Sequence, residues 1–240
     1  MNSKMKIPGL KSLKLFRKAF LTDFLKFHYS QFGEDIILRE ILKKETSSGF
    51  YVDVGCFHPK KFSNTYMLFK RGWSGINIDM EEDKISLFNM ARPKDFNVLS
   101  PISDIEEEVT LYRYSKFGLG STIDKKIASE TNDQIYDRTV IKTKTLNDVI
   151  NSSPYKDSQI DVLSIDVEGV DLKVLKSLNI KKYSPKVIII EDHHNKIEDI
   201  LETDTFKFLV KNSYTLRSWT FYSLIFVLPG SDILKERENR

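Results

Sequence analysis

The chain has 240 residues, 40% hydrophobic and 30% charged, which supports one globular domain with a buried core plus a short appendage. A single cysteine, Cys56, excludes a disulfide framework and a cysteine-rich zinc centre, and the four histidines lack metalloprotease spacing. The net charge of +3 divides into +6 over residues 1–28 and −3 over the rest, which argues against a nucleic-acid surface on the main body.

No apolar run reaches the roughly 18 residues of a membrane-spanning helix. The N-terminus also lacks the continuous apolar core and small-residue cleavage site of a signal peptide, so a cytoplasmic chain is expected. Residues 1–28 read as a separate basic segment and 29–240 as the domain. Within the segment, Leu13, Phe16, Phe20, Phe24 and Phe27 recur at steps of three or four, the stripe of an amphipathic helix that starts near Pro8 and Gly9. Two placements suit such a helix. It packs along the domain edge, or it lies peripherally on an anionic membrane surface at the inner face.

Ser30 can cap a helix running to about Lys44, with Ile37, Leu38, Ile41 and Leu42 as its apolar pairs. Phe50–Val54 reads as a buried strand, and Ser63 or Asn64 as the cap of a short helix closed by Gly72. Gly75–Asp79 and Val98–Ile102 are the next strands. Val109–Tyr114 and Val140–Thr143 form a candidate ribbon around a polar stretch, Gly118–Ile135, that suits a mobile loop over a site. Ile160–Asp166 is the strongest strand, followed by a helix bearing Leu172, Leu175 and Leu178. Lys186–Glu191, a helix over Ile197–Lys211, and a hairpin of Tyr214–Trp219 with Tyr222–Val227 complete the pattern. Alternating strands and helices predict a mostly parallel, doubly wound α/β sheet whose edge is turned antiparallel by the hairpin.

Four strand ends carry acids: Asp53, Asp79, Asp166 and Glu191. Ligands of open α/β sheets bind outside the carboxyl ends of the strands. One terminal acid is usually a cap, but four along one rim repel each other unless a ligand or metal offsets them. The turn after the first strand, Gly55-Cys56-Phe57-His58-Pro59, lacks the three glycines of a dinucleotide site, and Phe57 stands where backbone must approach a pyrophosphate. A nucleoside ligand without phosphates fits better, with Asp79 accepting the ribose hydroxyls. S-adenosylmethionine has that shape.

Several stretches in order resemble the motifs of FkbM-type methyltransferases. They are Ser30-Gln31-Phe32-Gly33-Glu34-Asp35, Phe50-Tyr51-Val52-Asp53-Val54-Gly55, Ser63-Asn64-Thr65-Tyr66, Gly72-Trp73-Ser74-Gly75 and Ile160 through Gly169. The likeness spans roughly residues 29–228. It implies a class I, Rossmann-like fold with a seven-stranded sheet, and S-adenosylmethionine-dependent O-methylation, often of sugar hydroxyls in glycans, surface polysaccharides or natural products. It further implies a cofactor set of Asp53, Gly55 and Cys56 in the first turn, Asn64, Asp79 as ribose clamp, Ser103 and Asp104 near the adenine, and Asp166 with Glu168 beside the transferring methyl. Gln31 and Glu34 belong to the leading motif. Bland roles stand beside these: Asp53 as a cap or lysine partner, Cys56 as buried filler, Trp73 as core.

A sugar hydroxyl needs help to lose its proton. His58, Asp166 and His194, with its neighbour His193, are the candidate bases. Alternatively Asp166 with Glu191 or Asp192 holds Mg²⁺ against the acceptor. The acceptor is a glycan or small-molecule hydroxyl. A lipid, peptide or metabolite acceptor, or a non-catalytic cofactor-binding scaffold, is the other reading.

Overall fold

The computed structural model describes residues 8–20, 27–43, 48–115, 121–130 and 134–233. In chain order the elements are α1 (Pro8–Phe20), α2 (Glu34–Ile41), β1 (Phe50–Val54), α3 (Tyr66–Lys70), β2 (Ser74–Asp79), α4 (Glu82–Ala91), β3 (Phe96–Leu99), β4 (Glu108–Arg113), α5 (Lys125–Glu130), β5 (Asp137–Lys142), α6 (Leu146–Asn151), β6 (Val162–Ile165), α7 (Asp171–Lys176), α8 (Ile180–Tyr183), β7 (Val187–Glu191), α9 (Ile197–Glu202), α10 (Asp204–Lys211), β8 (Thr215–Thr220) and β9 (Ser223–Val227).

Seven strands make one sheet in the order β3-β2-β1-β6-β7-β9-β8, and β4 pairs with β5 in a separate antiparallel ribbon. The first five of those seven run parallel, while β9 is antiparallel to both β7 and β8. Helices cover both faces, so the central strands are buried throughout and read as unbroken apolar runs. Side chains alternate between two cores. Phe50, Val52, Val54, Ile188 and Ile190 face the core built with α6 and α7, whereas Tyr51, Val187 and Ile189 face the one that holds Leu38, Leu68 and Trp73.

Several boundaries differ from the sequence reading. Gly33, at φ 90°, precedes α2, and Ser30 instead hydrogen-bonds the Asp35 side chain and amide, so the helix starts three residues later than expected. β3 lies earlier, ending at Leu99, which leaves Ile102 in an isolated bridge to Lys144. The helix expected over 197–211 is broken at Thr203, whose extended backbone ends α9 while its hydroxyl caps α10 by accepting from the Phe206 amide. The polar stretch 118–135 contains α5 rather than an unstructured loop, and α4 and α6 are additional helices. α1 ends at Phe20, and Phe24 lies outside the described residues. No described helix is long and apolar enough to cross a membrane.

Candidate active site

The sheet reverses its winding between β1 and β6, and beyond the carboxyl ends of the strands there lies a cleft enclosing about 620 Å³, its open mouth included. Small-ligand sites of open α/β sheets favour this switch point. Val54, Gly55 and Phe57 follow β1 into the wall; Ile78, Asp79 and Met80 come from β2; Ser100, Pro101 and Ile102 follow β3; and Asp166 through Glu168 follow β6. Lys84, Ser121, Ile123 and Val170 complete it.

Gly55 is dictated by the close approach of β1 and β6. Its φ is 82°, and a Cβ there would lie 1.7 Å from the Asp166 carbonyl oxygen. Asp53 and Cys56 do not line the cleft. Cys56 is buried against Ile85 and Phe88, where burial raises its thiol pKa well above 9.0 and keeps it protonated. His58 follows, but its Nδ1 accepts from the Lys60 and Lys61 amides at 3.0 and 3.1 Å. A neutral ring held that way carries its proton on Nε2 and has no free lone pair for a substrate proton. Burial and then the Lys61 and Lys60 charges lower its pKa, so the neutral form prevails. The His58 side chain fastens a turn.

Asp79 ends β2 at the cleft. Its Oδ1 accepts from the Glu81 amide at 2.8 Å, and Lys84 Nζ lies 3.6 Å from Oδ2 and 2.8 Å from Glu81 Oε1. Burial raises the Asp79 pKa to about 6 against the pull of Lys84. Because β3 ends early, Ser100 to Ile102 line the cleft, and Ser103 and Asp104 lie past it. Ser103 Oγ donates to Asp104, and Ser103 lines an adjoining pocket that shares Ile123 and Val170 with the main one. Ser121, absent from the sequence reading, is buried in the cleft wall with no hydrogen-bond partner for its hydroxyl among the described residues. An orphaned hydroxyl in a cleft wall suits a polar ligand. Thr122 beside it donates to the Glu168 carbonyl at 2.8 Å, tying this excursion to the rim.

At the β6 and β7 ends the acids gather. Asp166 opens onto the cleft; the protein around it, then the Glu191 carboxylate, raise its pKa well above the usual value, and the two carboxyls lie close enough to share a proton. Asp171 accepts from the Val167 and Gly169 amides and so shapes the loop after β6; burial and Glu191 push its pKa to about 7. His193 Nε2 is 3.1 Å from Glu191 Oε1, a contact that raises the imidazole pKa above 6.5. Asp192 and His194 pair with each other instead: Asp192 Oδ1 lies 2.8 Å from His194 Nδ1 and accepts the His194 amide at 2.9 Å. Of the acids expected to hold a metal, Asp166 and Glu191 are thus brought together, while Asp192 is turned to His194. Glu168, Glu191 and His193 form a set, with ligand atoms within 4.8 Å of one another.

The sequence matches the methyltransferase FkbM domain over residues 53–216, more than half of the chain. This protein belongs to the FkbM methyltransferase family. A comparison with curated proteins finds no match. The matched segment contains the ends of β1, β2, β3, β6 and β7, so it carries the cleft, and the sheet is the Rossmann-like fold of a methyltransferase.

In this FkbM methyltransferase the leading motif sits beside the hairpin. Glu34 is buried; its Oε2 accepts from the Phe32 amide, and its Oε1 accepts from Ser223 Oγ at 3.0 Å. Gln31 is exposed, and Asn64 donates to Ser164 Oγ at 3.1 Å; neither lines the cleft. The motif's Phe32 packs on Phe221 and Tyr222, with ring centroids 4.8 and 5.4 Å away, and His193 stands 4.9 Å from Tyr222. Asn195, Trp219, Phe221 and Tyr222 line a second, open hollow on this corner.

Arg92 is a further interior residue that sequence reasoning missed. It is fully buried, donates to the Pro59 carbonyl and to Ser63 Oγ and Thr65 Oγ1, and stacks 5.0 Å from the Phe88 ring centre. Nothing in a lone arginine after a helix signals such burial.

Proposed function

We propose that this FkbM methyltransferase uses S-adenosylmethionine and methylates a hydroxyl oxygen, with a sugar ring as the acceptor class. The observation that carries the cofactor reading is the charge of the cleft wall. Asp79, Asp166 and Glu168 are acids, and Lys84, the one lysine of the wall among the described residues, is already engaged by Asp79 and Glu81. That wall repels phosphates and favours a cationic nucleoside. Apolar Val54, Ile78, Ile102 and Ile123 suit a base, Asp79 the ribose hydroxyls, and Ser121 an otherwise missing polar contact.

When bound, S-adenosylmethionine supplies an electrophilic methyl on a positively charged sulfur. The protein's part is to position the acceptor oxygen and take its proton. Glu168 and the proton-sharing Asp166–Glu191 pair hold negative charge where the cationic end belongs. His193 is the proton acceptor, because Glu191, which orients it, also meets the cleft acid Asp166, with Glu168 beside them; His194 is oriented by Asp192 outside that cluster, and His58 is committed to a turn. The aromatic corner of Phe32, Phe221 and Tyr222 offers the flat faces on which the C–H face of a pyranose rests, next to carboxylates that bind its hydroxyls.

Transfer of a labelled methyl group onto a panel of glycans, glycolipids, peptides and small alcohols tests this. Label in an ether on a sugar supports the reading. Label on peptide or metabolite alone redirects the acceptor class, and cofactor binding without any transfer points to a scaffold.

A further inference from the structure

We infer that α1 is a membrane-docking helix whose apolar face rests in the headgroup layer of a bilayer rich in anionic lipids. This goes beyond the methyl-transfer reading and does not depend on it. From Met1 to Thr22 the sequence carries six Lys or Arg residues and no Asp or Glu. Leu13, Phe16 and Phe20 share one side of α1 at helical spacing and are 58%, 54% and 71% exposed. The Phe16 and Phe20 rings lie 4.9 Å apart, so the side presents a continuous apolar ridge. Neither large core includes a residue of α1.

A helix of 13 residues is marginal in water by itself, so a ridge of this kind calls for a partner. Charge selects which one. Lys14 and Lys18 lie one turn apart on the face of α1 opposite the ridge, and the basic excess of the whole chain is concentrated in this segment. Aromatic and leucine side chains on one face with lysines on the other suit the boundary between acyl chains and anionic headgroups. At about 1.5 Å per residue, α1 is some 20 Å long, too short to span an apolar layer of about 30 Å, so it lies in the plane of the surface.

The test is flotation of the full chain with vesicles of phosphatidylcholine alone and of an equimolar mixture with phosphatidylglycerol. The chain is expected to float with the anionic vesicles, to stay behind with the neutral ones, and to be released by added salt. Phe16→Ser with Phe20→Ser should weaken partition at least about tenfold. Lys14→Glu with Lys18→Glu should weaken it as much, since each lysine near an anionic surface contributes about fivefold. Both double variants should keep the wild-type melting temperature, elution volume and cofactor affinity. Failure to bind anionic vesicles, or binding that survives the phenylalanine changes, overturns the proposal. So does a fall in melting temperature, which would place the ridge on the domain, or a shift in elution volume, which would place it on a second copy.

Discussion

Thr65 stands between Asp53 and Arg92. Its Oγ1 donates to Asp53 Oδ2 at 2.6 Å and accepts from the Arg92 guanidinium at 2.9 Å, so two buried opposite charges are joined through one hydroxyl. Burial raises the Asp53 pKa, while the Thr65 bond and the Arg92 charge oppose that shift. The same guanidinium holds Pro59 and Ser63, fastening from beneath the loop that leads from Phe57 in the cleft wall to α3. Asp53 therefore acts on the cleft through this loop.

Thr65→Val keeps the shape and removes the bridge. Leaving a buried carboxylate and guanidinium short of a partner should cost about 2–5 kcal/mol. Urea unfolding reads that loss, and Thr65→Ser should recover most of it. Equal stability of wild type and Thr65→Val would show the bridge to be idle.

Gly55→Ala places a methyl against the Asp166 carbonyl in a left-handed conformation. The β1 and β6 ends must part, at about 3 kcal/mol or more, and the cleft opens with them. The variant should lose both stability and cofactor affinity. An unchanged denaturation midpoint would mean that the close approach is not needed.

Asp79 gives two opposite pH trends. Its folded pKa of about 6 exceeds the ordinary 3.8, so the folded state holds the proton more tightly than the unfolded one. Its share of stability is complete below 3.8 and is lost as pH rises through about 6. Cofactor affinity should move the other way, because the ionised carboxylate is the better acceptor for ribose hydroxyls. The linkage can reach about tenfold per pH unit below the pKa. Calorimetry from pH 5 to 8 should show the rise in wild type and its absence in Asp79→Asn. A rise that persists in the variant would assign the proton to another group.

His193→Ala should lower turnover by about 10²–10⁴-fold with cofactor affinity intact, and Glu191→Gln should weaken the same step. Because the Glu191 contact raises the His193 pKa, turnover should rise with pH as the ring loses its proton, with a midpoint above 6.5 that shifts down in Glu191→Gln. His194→Ala and His58→Ala should be milder. Activity that is lost to EDTA and restored by Mg²⁺ would instead give the hydroxyl's activation to a cation on Glu168, Glu191 and His193.

The sheet was legible because its central strands are buried on both faces and end on acids. β1, the β2 terminus at Asp79 and the closing hairpin follow from that pattern. α4 was not legible: Lys84 is buried, while Leu87 and Met90 face solvent, which blurs the apolar stripe. The apolar run after Asn97 drew β3 too far along, although Leu99 is an exposed edge residue, and the shift put Ser103 and Asp104 where Ser100 to Ile102 belong. Thr203-Asp204 was a cap signal available inside the long helix of 197–211. The choice between His193 and His194 had no signal, since it depends on which carboxylate each neighbour meets across the turn after β7.

The central claim, a cationic nucleoside bound with Asp79 at the ribose, is tested most directly by calorimetric titration of S-adenosylmethionine into wild type and Asp79→Ala. Loss of hydrogen bonds from a charged acceptor costs about 2–4 kcal/mol, so the variant should bind at least thirtyfold more weakly while its circular dichroism is unchanged. Wild type that does not bind the cofactor, or a folded Asp79→Ala that binds it equally well, would contradict the account.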